Sequence, residues 1–152
     1  MSPATTLADM AGDVLPDPSS PFGQRVRERL EHERVVWLTT TGPDGTPQPN
    51  PVWFVWDDGG FLVYNLAHAK RLSHIRDRPQ VTLHFNSDEQ GGDVVVFRGL
   101  AHPADTLPPA HENAAYVAKY REAMESVSGS LEEFSKTYPQ VLRVQVNAIR
   151  GY

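Results

Sequence analysis

The chain has 152 residues, a formal charge of −5 at pH 7 and no cysteine. This length suits one domain, and the missing thiols exclude disulfides, thiolate metal sites and cysteine nucleophiles. Net acidity argues against a generic nucleic-acid or membrane-surface role, since both need a basic footprint.

Residues 1–21 (MSPATTLADMAGDVLPDPSSP) are rich in Pro, Ser and Asp and lack the basic start and apolar stretch of a signal peptide. No run approaches the roughly 18 apolar residues of a membrane span. The expectation is a soluble, cytoplasmic protein, with a flexible arm at 1–21, a turn around Leu7–Met10, and one domain at 22–152. Phe22–Glu33 reads as a helix, with Phe22, Val26 and Leu30 at i, i+4 spacing and Ser20-Pro21 suited to its start.

The texture then changes. Arg34–Thr41 (RVVWLTTT) is β-branched and aromatic, so a strand. Gly42-Pro43-Asp44-Gly45 is a turn, and Gln48–Trp56 a second strand. Asp57-Asp58-Gly59-Gly60 makes a hairpin into a third, Phe61–Asn65, and short connections predict a meander of the three. Ala67–Arg78 reads as a helix stopped by Pro79. Val81–Phe85 and Asp93–His102 are further strands around a Gln90-Gly91-Gly92 turn. A helix runs from Pro108 or Pro109 to about Ser126, a short one follows at Leu131–Thr137, and Val141–Asn147 alternates as a closing strand. The fold class is mainly β: a six-stranded antiparallel barrel or sandwich with peripheral helices.

Pro47, Pro49 and Pro51 stand in one phase on the way into Val52-Trp53-Phe54-Val55-Trp56. Successive N–H groups of a strand point to opposite edges, so three donors vanish from one edge, while Gln48, Asn50 and Val52 keep theirs on the other. Edge protection is the plain reading. The sharper one starts from the two faces. Val52, Phe54 and Trp56 face one way; Pro51, Trp53 and Val55 face the other. Both are apolar, so one suits the core and the other a second subunit or a flat aromatic ring.

In Asn65–Pro79, Ala69, Leu72 and Ile75 share a helical face opposite Lys70, Arg71, His74 and Arg78. A solvated charged face over a packed one is the commoner meaning. In an acidic chain, at a helix start where free N–H groups favour anions, the cluster also suits a phosphate. There is no GxGxxG, no P-loop and no GxSxG. The histidines at 32, 68, 74, 84, 102 and 111 form no HExxH or close metal pair.

In this order the pieces TTTGPDGTPQPNPVWFVWDDGGFLVYN and AHAKRLSHIRDRPQVTLHF resemble the pyridoxamine 5′-phosphate oxidase-like split β-barrel superfamily. They are most similar to its flavin/deazaflavin-dependent oxidoreductase branch. The match covers about Arg34–Phe85 and is looser beyond. The resemblance implies a split β-barrel homodimer with a cofactor site at the subunit interface. It places the ring on Asn50, Pro51, Val52 and Trp53, and the phosphate on the segment Asn65–His74. There Lys70 stands at the family's basic position, helped by Arg71 and His74; His68 and Ala69 stand where many members carry arginine. Gln48, Thr40 and Thr41 are candidates for polar contacts, and Arg150-Gly151-Tyr152 resembles a tail that often reaches the partner's site. The implied cofactor is coenzyme F-420 (8-hydroxy-5-deazaflavin), with FMN as the alternative. The implied activity is hydride transfer to a small unsaturated organic substrate. His84 and Tyr152 are the candidates for a proton donor. A carrier that binds the cofactor without turnover, and a dimer that binds none, are the competing readings.

Overall fold

A computed structural model describes residues 14–152. The expected turn at Leu7–Met10, and the arm up to residue 13, lie outside the described residues. Val14 and Leu15 pack against the core, and Ser20 caps the first helix, its Oγ accepting from the Gly23 N–H at 2.9 Å.

In chain order the elements are α1 (Pro21–His32), β1 (Val36–Thr41), β2 (Pro47–Val52), β3 (Val55–Asp57), β4 (Gly60–Asn65), α2 (Lys70–Asp77), β5 (Gln80–His84) and β6 (Val95–Pro103). A 3₁₀ turn (Ala110–Glu112), α3 (Ala114–Ser128), α4 (Leu131–Thr137) and β7 (Gln140–Gly151) complete it. All pairings are antiparallel, in one sheet ordered β2-β1-β5-β6-β7-β4-β3.

Seven strands stand where six were expected, because the segment Gln48–Trp56 breaks at Trp53–Phe54. The meander is also corrected. β2 pairs with β1, whereas β3 pairs with β4 at the opposite edge of the sheet. The two edge strands are thus successive pieces of one segment. Two linking residues reach only about 10 Å, so the sheet must curl until its edges nearly meet: a mainly β half-barrel, split at this corner.

Its interior is filled by Val36, Leu38, Phe54, Phe61, Leu83, Phe97 and Val144, with Val26 and Leu30 of α1 closing one end. A second core lies outside β4, where Leu62 and Tyr64 meet Tyr116, Tyr120, Met124 and Phe134 of α3 and α4. β4 is therefore buried on both faces. Asp58 (φ 49°) and Gly59 (φ 76°) make the two-residue turn before it, a geometry matched to strand twist. β7 extends beyond Asn147 because β6 pairs with it as far as Gly151.

Candidate functional site

The register pairs Pro47, Pro49 and Pro51 with Thr41, Thr39 and Trp37, and Gln48, Asn50 and Val52 with Thr40, Leu38 and Val36. A proline cannot donate, so the hydrogen-bonded pairs are the second set. The donors of Gln48, Asn50 and Val52 are therefore spent on β1. The outer edge of β2 offers proline carbonyls and no N–H, and residues 47–51 are exposed along it.

At the bend the two faces separate. Val52 and Phe54 enter the barrel, while Trp53 and Val55 turn into the second core. The outward face expected to meet a second subunit or a ring is thus covered, at Trp53 and Val55, by the chain's own α3 and α4; Pro51 stays exposed. Trp53 stacks on Tyr120 (centroids 4.9 Å, 6° between planes) and Phe134 (5.6 Å, 3°). The Tyr120 hydroxyl accepts from the Phe54 N–H at 3.0 Å. Its single proton goes to the carbonyl of Arg34 at 2.7 Å or of Phe54 at 3.0 Å. Burial pushes this phenol up to about 12. Lys119 Nζ donates to the Phe54 carbonyl at 3.1 Å and sits 3.7 Å from the centre of the Phe54 ring. Burial, then the charge of Arg34, draw its amine down to about 8.

Against this corner lies a cavity of about 250 Å³. Pro51, Val52 and Trp53 form one wall, Tyr64 of β4 another, and Tyr116, Phe134 and Tyr138 the side toward α3 and α4. Tyr64 meets Tyr116 edge-on at 4.7 Å, and Phe134 stacks on Tyr138 at 4.6 Å. The Tyr64 hydroxyl donates to the Pro108 carbonyl at 2.9 Å, and burial raises its pKa. The one charged lining residue is Arg71 of α2. Its Nη1 is buried without a hydrogen-bond partner among the described residues, and desolvation holds its pKa below the usual guanidinium value.

The predicted basic cluster is divided three ways. Arg71 enters the cavity. Lys70, one residue earlier, is exposed and lines a separate open groove of about 670 Å³ with His68, Ser73, Arg76 and His102. His74 is buried, with Nδ1 2.9 Å from Thr40 Oγ1, while Arg78 Nε donates to the Thr41 carbonyl at 2.8 Å. A helix advances about 100° per residue, so neighbours in sequence face different surroundings. Asn65 is buried; its Nδ2 donates to the carbonyls of Val63 and Gln140 at 2.9 and 3.1 Å, and its Oδ1 has no partner among the described residues. Gln48 and Asn50 are exposed on β2, across from Thr40 and Leu38.

Of the predicted residues, the structure brings Pro51, Val52, Trp53 and Arg71 together. His84 lies stacked beside Trp37, its Nδ1–H donating to the Phe85 carbonyl at 3.0 Å. Tyr152 exchanges backbone hydrogen bonds with Val94, so the C-terminal tail is zipped to the start of β6. The aromatic wall of α3 and α4 was not predicted. Its available signal was the i, i+4 spacing of Tyr116 with Tyr120 and of Phe134 with Tyr138. Among the described residues no group of three His, Asp or Glu is placed to hold a metal ion, and no helix is long and apolar enough to cross a membrane.

The profile of a family described as pyridoxamine 5′-phosphate oxidase matches residues 22–152. No curated protein matches by sequence. Among solved structures, an F-420 reductase is 21% identical, with a TM-score of 0.58, over 82% of this chain and 94% of that one. HutZ, a heme storage protein from Vibrio cholerae, is 15% identical, with a TM-score of 0.59, over 84% and 92%. A protein related to general stress protein 26, from Clostridium acetobutylicum, is 16% identical, with a TM-score of 0.63, over 85% and 86%. Identities this low carry the fold and nothing finer.

Proposed function

The chain belongs to the pyridoxamine 5′-phosphate oxidase family, and from that premise we propose that it is a deazaflavin-dependent oxidoreductase acting on a small unsaturated organic substrate. The observation that carries the reading is β2. It is an edge strand whose exposed outer edge has acceptors but no donors, and it runs directly into an aromatic corner. A planar ring with an N–H at its rim fits such surroundings, because apolar residues support its face and carbonyls meet its polar edge.

In this reading Asn50, Pro51, Val52 and Trp53 support the ring of coenzyme F-420, and Lys70 with His68 meets its phosphate from the uncapped start of α2. When bound in reduced form, the cofactor supplies a hydride. The chain's own contribution is position and exclusion of water. The Tyr120 hydroxyl fixes the bend, so that Trp53 and Pro51 hold a constant spacing. The Trp53 and Tyr116 side chains keep the cavity apolar. His74, bonded to Thr40, orients α2 and with it Lys70 and Arg71. The cavity of about 250 Å³ is too small for a tricyclic ring with its tail, so the ring's bed includes the exposed edge of β2, which a second copy of the chain covers in the proposed homodimer. FMN is the alternative occupant. Lys70→Ala should weaken cofactor binding at least tenfold, read by fluorescence titration; unchanged affinity would remove Lys70 from the phosphate site.

A further inference from the structure

We propose that the cavity behind Trp53 binds a small planar carboxylate, an aromatic or conjugated acid with one ring, and that Arg71 is its anion partner. A guanidinium stays protonated when buried, and a buried charge without a counter-ion is costly. No Asp or Glu lines the cavity. Burial is the sole influence resolved on Arg71, with no carboxylate acting on it. The missing partner is thus an anion that the described residues do not supply.

The character of that anion follows from charge, size and walls. Arg71 is the one cation in the cavity, since Lys70 opens on a different groove; a single positive charge balances a monoanionic carboxylate better than a phosphate dianion. A dry cavity of about 150 Å³ admits one benzene ring, so about 250 Å³ holds one ring with a short conjugated substituent. The walls of Trp53, Tyr64, Tyr116 and Phe134 offer ring faces and edges to a planar π system. A carboxylate presents two oxygens to the guanidinium fork. Because Pro51, Val52 and Trp53 also line this cavity, its occupant lies against the strand that the proposed function gives to the cofactor ring. Its role as substrate rests on that reading; its binding does not.

The test is a titration of the full-length protein without cofactor, followed by tryptophan fluorescence and calorimetry, with trans-cinnamate, its neutral amide and inorganic phosphate as probes. Saturable binding of cinnamate, at least tenfold weaker for the amide, is expected. That comparison needs no variant. Arg71→Met should lose at least tenfold in cinnamate affinity, and Arg71→Lys should recover part of it, while FMN or F-420 affinity stays within about twofold. Equal binding of acid and amide, or cinnamate affinity unchanged in Arg71→Met, overturns the proposal. So does phosphate binding combined with loss of cofactor affinity in Arg71→Met, which would return Arg71 to the cofactor phosphate. A protein that binds cinnamate but neither FMN nor F-420 contradicts the proposed function and leaves this inference standing.

Discussion

Removing one oxygen atom, in Tyr120→Phe, asks whether a single hydroxyl holds the corner where β2 becomes β3. Phenylalanine keeps the ring that stacks on Trp53 at 4.9 Å and lies under the Arg34 guanidinium at 5.0 Å. Only the hydrogen bonds change. The Phe54 N–H loses its acceptor in a residue that is fully buried, and a buried unsatisfied donor costs about 1–3 kcal/mol. The Phe54 carbonyl retains Lys119 Nζ, and Arg34 is exposed, so its carbonyl can turn to water. The expected loss is about 2 kcal/mol, or roughly 4–8 °C in Tm for a domain of this size. Urea denaturation followed by tryptophan fluorescence reads it as a lower midpoint with an unchanged slope. A loss below about 0.5 kcal/mol, within the range of neutral surface changes, would show that the bend is held by something else.

Lys119 gives a pH signature. Its amine is depressed to about 8 in the fold, against about 10.4 when unfolded. Between those values the unfolded state binds the extra proton, so stability rises with pH from about 8 toward 10. Lys119→Met should flatten that rise, measured by denaturation at about pH 7.5 and 9.5; an unaltered slope would contradict it. Above pH 10 the sign reverses, since Tyr120, raised to about 12, keeps its proton longer in the fold than in the unfolded chain. Replacing Pro47, Pro49 and Pro51 together by threonine restores three outward N–H groups to an exposed edge. In the proposed homodimer the second copy covers that edge, so size exclusion with light scattering should show no species larger than wild type; larger species would mean that the edge is open.

Much of the fold was legible because local rules agreed with the tertiary answer. Ser130 caps α4 through the Glu133 N–H, and the predicted Leu131–Thr137 helix stands. The phase of the three prolines located an edge strand. The break at Trp53–Phe54 left no local mark, since inward and outward alternation runs straight through it. The Tyr120 hydroxyl that bonds Phe54 at the break lies 66 residues away. For the same reason the meander failed: the chain crosses from one edge of the sheet to the other where the sequence shows only a continuous apolar run. The basic helix was found, but not its division. Which side of α2 is covered depends on Thr40, on the cavity and on solvent, and a helical wheel contains none of these. The i, i+4 aromatics marked one face of α3 and of α4, but that these faces pack on β4 has no signal within either helix.

The proposed function requires the corner of β2 to form a deazaflavin bed. Its most direct measurement is a fluorescence titration of the purified full-length chain with coenzyme F-420 and, in parallel, with FMN. Saturable binding of both is expected, tighter for F-420. Tighter binding of FMN would transfer the site to the flavin, and saturation by neither would contradict the proposed function.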